Sequence, residues 1–579
     1  MKTIIFCGRN NLPLRGHRDS GRLSEASHHD NDGFLRNLLC FRRESGDEAV
    51  TDWLDTTPGN VSNLSPKIQN ELISCIATVI LDQLVSKVKD AKFFSVLLDE
   101  TMDRGKQEQA SFVIRHVSPN GEIAEDFFGF AEASNITGEG LAKLVLDFIE
   151  KTGLSLENLR GQGYDGAAAM SGAIKGCQTI IKRQQPMAVY THCVNHRLNL
   201  VISKACELRE VRNALGVVAR TATFFLGSAK RTKKLEDAVR TGQNLRSEEA
   251  ELTAGVAHKY LILLCLTRWV DRHDAVAVFR DLLPFVASVL EDMNDDEATS
   301  LLHAIQNPTL IVSVVFMASV LAKTVVLSKT LQEPRLDLGT ALYKINAVTN
   351  QLQAIRHDAE REVAVLFNEA EQLGHDVGLA EITVPRKVWR VTQRANAPAE
   401  SVAEHYRVNL FVPFLDSCLA QLRLRFKDAP IQLRLQQLLP GHTKEDSLEQ
   451  VMEVAELHRA DLQDVPLDAV RAEVETWLTD LEGSDSMSDS VSEAIARANA
   501  TMCPNVALLL RLYGTLPVSN ATVERSFSKL KLLKSDLRTT MEEERLSGLA
   551  LLSVHRQIEV DPDKVMDVFS RTGKRRIFL

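Results

Sequence analysis

The sequence predicts an α/β protein: a mixed-sheet core, then a long, nearly all-helical stretch, then a C-terminal region of well-marked helices. Three observations predict it. Short apolar or β-branched runs cluster between residues 93 and 191, and helical spacing separates them only after the third run. From about 205 to 500 apolar residues recur at three- and four-residue intervals, which is the period of helices. Beyond 501 amphipathic helices with strong start signals return.

Composition bounds what this architecture can do. The chain has 579 residues, 44% hydrophobic and 25% charged, as an ordinary globular protein does. Its net charge is −9, so overall basicity does not advertise nucleic acid, and any such surface is a local patch. Nine cysteines without a C-x-x-C pair argue against a disulfide framework and against a sequence-local zinc finger. The start, MKTIIFCGRNN, turns polar too soon for a signal peptide. Leu310 to Leu327 is the most apolar long stretch, but Ser313, Ser319, Lys323 and Thr324 interrupt it. It reads as a buried helix, and no membrane partner is expected.

In chain order, residues 1 to about 60 read as a polar, loosely structured lead-in. Ser65 to Ala91 has helical spacing, with Ser65 as N-cap and Pro66 at the first helical position. Phe93–Asp99 (FFSVLLD) is short and apolar enough for a strand buried on both faces. Ser111–Val117 and Ile123–Ala131 follow around the turn Ser118-Pro119-Asn120-Gly121, so the three strands form an antiparallel meander. Thr137 caps a helix to about Thr152, Leu159–Tyr164 is a fourth strand, and Ser171 to Arg183 is helical. Ala188–Thr191 is a fifth strand, and His196 opens another helix. Three strands, helix, strand, helix, strand, helix is the order of a ribonuclease-H-like fold. In such a sheet the first strand is central and the fourth lies beside it, so Asp99 and Asp165 would meet at one sheet edge.

Further on, Val211–Phe225, Ala275–Met293, Leu301–Leu331 and Gly339–Leu366 read as helices, with Pro284 and Pro308 kinking or breaking two of them. Pro385 to Pro398 reads as a loop and Leu481 to Ser492 as an acidic, serine-rich linker. Ser519 or Asn520 caps a helix with an apolar stripe of Phe527, Leu530, Leu533 and Leu537, and Thr540 to Glu543 fits a capping box for the next. Leu546, Leu549, Ala550 and Leu552 extend that apolar surface, and part of it is expected to face a partner.

Asp99 and Asp165 are the first candidates for chemistry. Two carboxylates at neighbouring strand ends repel unless a cation sits between them. Mg²⁺ prefers such oxygen ligands, and two ions about 3.5–4 Å apart can cleave a phosphodiester, given a third carboxylate. The plainer alternative is that both are turn residues. Cys193 and His196 form C-x-x-H, but the matching half of a zinc site is missing nearby, so zinc is not expected and packing is the simpler reading. Trp269 reads as a core or helix-end residue, with Arg268 and Arg272 in reach of phosphates. Glu524 shares its helix with Arg525, Lys529, Lys531, Lys534 and Arg538. That helix is either a solvated basic face or a phosphate-contacting helix carrying the third carboxylate.

Seven stretches in order carry a resemblance: FCGRNNLPLRGHRD from Phe6, IQNELI from Ile68, FFSVLLDETMD, LRGQGYDGAAAMSG, HCVNHRLNL, LTRW and the long LPVSNATVERSFSKLKLLKSDLRTTMEEERLSGLALLSVHR. Together they resemble the hAT superfamily of DNA transposases, within it the group of zinc finger MYM-type and "52 kDa repressor of the inhibitor of the protein kinase"-like proteins. The resemblance implies a ribonuclease-H-like core, first part 65–204 after a 1–64 lead-in, a helical insertion at 205–500, the end of the core with a hAT dimerisation region at 501–560, and a tail at 561–579. It implies an Asp-Asp-Glu triad at Asp99, Asp165 and Glu524 working with Mg²⁺ or Mn²⁺. It matches Cys193 and His196 to the family's C-x-x-H motif, and Trp269 to a tryptophan that helps hold a DNA hairpin end. With Arg268 and Arg525 this gives DNA and a second copy of the chain as partners, and the nucleus as location. Active relatives carry an N-terminal BED or similar finger that finds the transposon ends; no C-x-x-C marks one here. Ala169 also stands where relatives often have Asn. A domesticated, non-enzymatic dimerising regulator is therefore the alternative to a transposase.

Overall fold

Five strands form one mixed sheet in the order β3-β2-β1-β4-β5. They are β1 (Phe94–Met102), β2 (Glu108–Val117), β3 (Ile123–Glu132), β4 (Leu159–Tyr164) and β5 (Val189–His192). The computed structural model of the chain describes residues 1–17, 33–56, 64–249, 260–263, 269–385, 399–482, 490–500, 503–535 and 538–572. β1 pairs antiparallel with β2 and parallel with β4, and β4 pairs parallel with β5. The expected meander and the central first strand are both present. The Ser118–Gly121 turn closes with Gly121 N–H donating to Ser118 O at 2.9 Å, Gly121 holding φ at 86°, a conformation glycine adopts without strain.

The Pro66–Ala91 helix starts as its sequence dictates, with Ser65 Oγ accepting from the Ile68 amide. The Gly138–Thr152 helix is capped by Thr137 and stops at Gly153, which is left-handed. Both bury apolar faces in one core with the sheet and the Glu543–Val554 helix. The expected single helix over 171–183 is two pieces, Ala168–Ser171 and Cys177–Gln184. Gly172 and Gly176 approach so closely between them that a Cβ on Gly176 would meet Gly172 N at 2.3 Å.

The lead-in is more ordered than its composition suggests. Lys2–Arg9, Phe34–Glu44 and Glu48–Thr56 are helices, and Ile4, Ile5 and Cys7 are buried. Each segment is too short and polar to show its partner in sequence. The partner is distant: a Cβ on Gly8 would strike Leu552 Cδ1 at 2.5 Å, so glycine lets the two helices touch.

The chain forms two compact units, residues 1–193 with 334–339 and 430–579, and residues 194–333 with 340–429. The helices between 430 and 482 thus pack in the first unit, although periodicity alone groups them with the insertion. Helix periodicity reports that a face is buried, not which core buries it. In the second unit, Pro308–Thr330 is long and apolar enough to cross a membrane, but 78% of its apolar window is buried inside the protein. Pro308 opens this helix behind an Asn307 cap. Pro284 lies inside the Trp269–Glu291 helix without ending it, and the stretch expected as Gly339–Leu366 is two helices, Leu338–His357 and Ala359–Asp376. The sequence-expected loop at 386–398 and most of the acidic linker, 483–489, lie outside the described residues.

Candidate functional site

β4 ends beside Leu97 of β1, which the parallel register pairs with Gly163, whereas β1 itself runs past the expected end at Asp99 to Met102, paired on its other side with β2. Asp99 follows on β1, and Asp165 follows the last residue of β4, so the two carboxylates lie at one edge of the sheet. Asp165 is fixed by its own turn: its Oδ1 accepts the Ala167 amide at 3.0 Å, and its carbonyl accepts the Tyr190 hydroxyl at 2.8 Å. The glycine after it leaves room for His192, whose ring would lie 2.3 Å from a Cβ at Gly166.

Glu524 reaches this edge because the chain returns to the sheet after the Pro504–Thr515 helix. Gly161 and Gly163 in β4 make the return possible. A Cβ on either would meet Pro517, at 2.7 and 2.8 Å respectively. Ser95 Oγ donates to Thr515 O at 2.7 Å, and the Asn520 side-chain amide donates to Leu98 O at 3.1 Å. Cys193 Sγ accepts the Asn520 backbone amide at 3.2 Å. Asn520 is indeed the N-cap residue of the Ala521–Leu533 helix, but its side chain makes no cap hydrogen bond; it is spent on tying the helix to β1. Along that helix Thr522 donates to Glu125 on β3, Ser526 Oγ lies 2.7 Å from Ser111 Oγ on β2, and Lys534 binds Asp103 at 2.5 Å. Asp99 pairs with Ser111 across the strands. Cross-strand partners share a face, so Asp99 lies on the face that this helix covers.

The charges respond accordingly. Asp99 is held well above the usual carboxylate range, first by burial, then by the negative charges of Asp165, Glu100 and Glu524. Glu100, on the opposite face of β1, is pushed up to about 7 by burial, then by Asp165 and Glu108. Its Oε2 is buried without a hydrogen-bond partner. Asp103 goes the other way: burial would raise it, but the Lys534 ammonium and the amides of Gln107 and Gly105 bring it below the usual range. The donor set is all carboxylate oxygen, the type hard divalent cations prefer, and its mutual repulsion is what a cation would relieve. As it stands, no group of three His, Cys, Asp or Glu side chains among the described residues is arranged to hold a metal ion.

The other sequence candidates fall elsewhere. Cys193 is buried and bonded to Asn520 as above, a structural clasp in the first unit. His196 lies in the second unit, on the Val194–Ala205 helix. The eight cysteines among the described residues are all buried. Arg525 is exposed beside Glu524, its guanidinium 2.7 Å from Thr522 Oγ1. Trp269 is the first residue of the Trp269–Glu291 helix, and Arg268 lies outside the described residues. The capping box expected at Thr540–Glu543 does not form: the helix begins at Glu543, whose carboxylate instead accepts the Glu132 amide at 3.1 Å. Part of the apolar stripe is expected to pack on the core and the rest to face a partner, and most of it is buried within the chain. Phe527, Leu530, Leu533, Leu546, Leu549, Ala550 and Leu552 are all buried, and Leu537 lies outside the described residues. Sequence reading missed the Lys534–Asp103 pair and the β4 glycines. The glycines carry a visible signal, since two of them alternate in a strand that otherwise reads as buried.

Comparison with known proteins agrees with this architecture. Residues 1–176 match a family described as "ZMYM1/FAM200, RNase-like domain". Residues 492–558 match the hAT family C-terminal dimerisation region. The human protein named "52 kDa repressor of the inhibitor of the protein kinase" is 27% identical over 586 aligned residues, covering 98% of this chain and 75% of that protein. The mouse protein of the same name matches to the same extent. The chain thus carries an RNase-like domain of the ZMYM1/FAM200 type and a hAT C-terminal dimerisation region, and over nearly its whole length it is similar to the 52 kDa repressor proteins.

Proposed function

We propose that this chain is a nuclear, DNA-binding transposase-like protein that self-associates and cleaves phosphodiesters with Asp99, Asp165 and Glu524. The observation that carries the reading is electrostatic. Three carboxylates, from two adjoining strands and a returning helix, lie close enough that Asp165 and Glu524 help burial hold Asp99 well above its ordinary range. Asp99, Asp165 and Glu524 would hold Mg²⁺ or Mn²⁺. Such an ion, when bound, supplies Lewis-acid polarisation of a phosphodiester and an activated water near neutral pH. The chain's own residues bind and orient. The Glu100 amide donates to Asp99 Oδ1 at 3.0 Å, and the Asn520, Ser526 and Lys534 contacts hold the Glu524 helix against the sheet. Arg525, exposed beside Glu524, is suited to a DNA phosphate. The family likeness supports a DNA role for Trp269, with Arg268 beside it.

The relatives are named as repressors, which favours a second reading: a non-enzymatic, dimerising nuclear regulator that keeps the carboxylates without their chemistry. Incubating supercoiled plasmid with the intact protein and Mn²⁺ separates the two. Nicking that disappears in Asp99→Ala and in a chelator is the expected result. Nicking that persists in Asp99→Ala would contradict the triad, whereas DNA binding without any nicking would favour the regulator.

A further inference from the structure

Three arginines meet in a cavity of about 600 Å³ lined by the Leu12–His17 loop, the Pro66–Ala91 helix and the start of the Glu543–Val554 helix. Arg15 and Arg545 both donate to the side-chain oxygen of Asn70, Arg15 at 2.9 Å, and Arg15 also donates to Pro66 O at 2.8 Å. Arg538 lines the same cavity. Among the described residues no carboxylate pairs with any of the three, and Glu542 at the rim is exposed. Arg15 Nε is buried with no hydrogen-bond partner. Like charges brought together out of water repel and disfavour their own protonation. Arg545 is accordingly lowered to about 10, first by burial, then by Arg15 and Arg538.

This cluster is built, not incidental. The Arg15 loop is locked by Phe34 N–H donating to Pro13 O at 3.0 Å and Leu35 N–H to Leu14 O at 3.3 Å. Gly33 sits so close that a Cβ would lie 2.4 Å from the Arg15 backbone. The opposite wall is fixed by Asn11, whose amide donates to Leu532 O at 3.1 Å. Rigid scaffolding around unneutralised guanidinium groups is how proteins prepare a place for a multiply charged oxyanion.

We infer that this arginine cavity is a binding site for a phosphate group, carried either by a small anion or by the end of a nucleic-acid strand. Its volume suits a ligand of nucleotide size. The site uses none of the carboxylates discussed above, so its fate is independent of the nuclease reading.

The test is calorimetric titration of the intact protein with sodium pyrophosphate at constant ionic strength. Fluorescence anisotropy runs beside it with a 5′-phosphorylated oligothymidylate and its 5′-hydroxyl twin. Arg15→Gln, Arg538→Gln and Arg545→Gln should each weaken pyrophosphate binding about tenfold or more. In the absence of ligand their melting temperatures should stay level or rise, since each removes a repelling charge. Should Arg545→Gln fail to fold, the other two carry the test. Preference for the 5′-phosphorylated strand assigns the ligand to a nucleic-acid end; pyrophosphate binding without that preference assigns it to a small anion. The inference is overturned if wild type binds neither, if the variants bind as wild type does, or if pentaglutamate binds as tightly as pyrophosphate.

Discussion

At Asp461 a single carboxylate joins segments 301 positions apart. Arg160 Nε donates to its Oδ2 at 2.7 Å, and His458 Nδ1 lies 2.9 Å from the same oxygen. Burial alone would raise its pKa, but the His458 and Arg160 hydrogen bonds and charges bring it from 3.8 to about 2. A carboxylate lowered on folding contributes stability that is present above its unfolded value and is lost as pH falls through the folded one. Asp461 should therefore contribute about 2 kcal/mol above pH ~4, fading as pH falls to ~2. Asp461→Asn should flatten that limb of the acid denaturation curve. It should also cost about 3–5 kcal/mol at pH 7, because Arg160 is left buried and unpaired. An unchanged acid limb in urea melts across this range would refute the assignment. None of this was legible beforehand: no local pattern ties Arg160 to Asp461. Asp99 and Asp165 were legible, because each follows a short apolar run and strand order brings those two runs together, although β1 continues past Asp99 to Met102.

Among the elements, β4 decides whether the C-terminal segment can return to the sheet. Its sequence, LRGQGY, spends two of six positions on glycine, which weakens a strand unless another backbone needs the space. Pro517 takes that space. At Gly163 a Cβ would also meet Leu97 Cδ2 at 2.5 Å. Gly163→Ala should destabilise the protein by about 1–3 kcal/mol through overpacking, read by chemical denaturation, and a loss under ~0.5 kcal/mol would mean that the contact is slack. The strands and the longer helices could be read from sequence, because period and caps are local signals. The N-terminal helices and the seat of the Glu524 helix could not, because their partners lie hundreds of residues away: Asn520 and Leu98 are 422 positions apart.

For the whole molecule, the dimerisation region and the ribonuclease-H-like core share one buried core, so the part of the apolar stripe expected to pack on the core does so. Exposed Leu532, on the same helix, shows that some apolar area still faces outward. Light scattering on the intact protein at micromolar concentration should give twice the 64.4 kDa chain mass, and a monomer would argue that this chain has lost self-association. The central claim is that Asp99, Asp165 and Glu524 form one cation site assembled from across the sequence. Mn²⁺ binding followed by electron paramagnetic resonance tests it most directly. Wild type should bind Mn²⁺, and Asp99→Asn, Asp165→Asn and Glu524→Gln should each weaken that binding at least about tenfold while leaving the melting temperature within a few degrees. Equal Mn²⁺ affinity in wild type and Glu524→Gln would contradict the claim, since it would leave the returning helix outside the site.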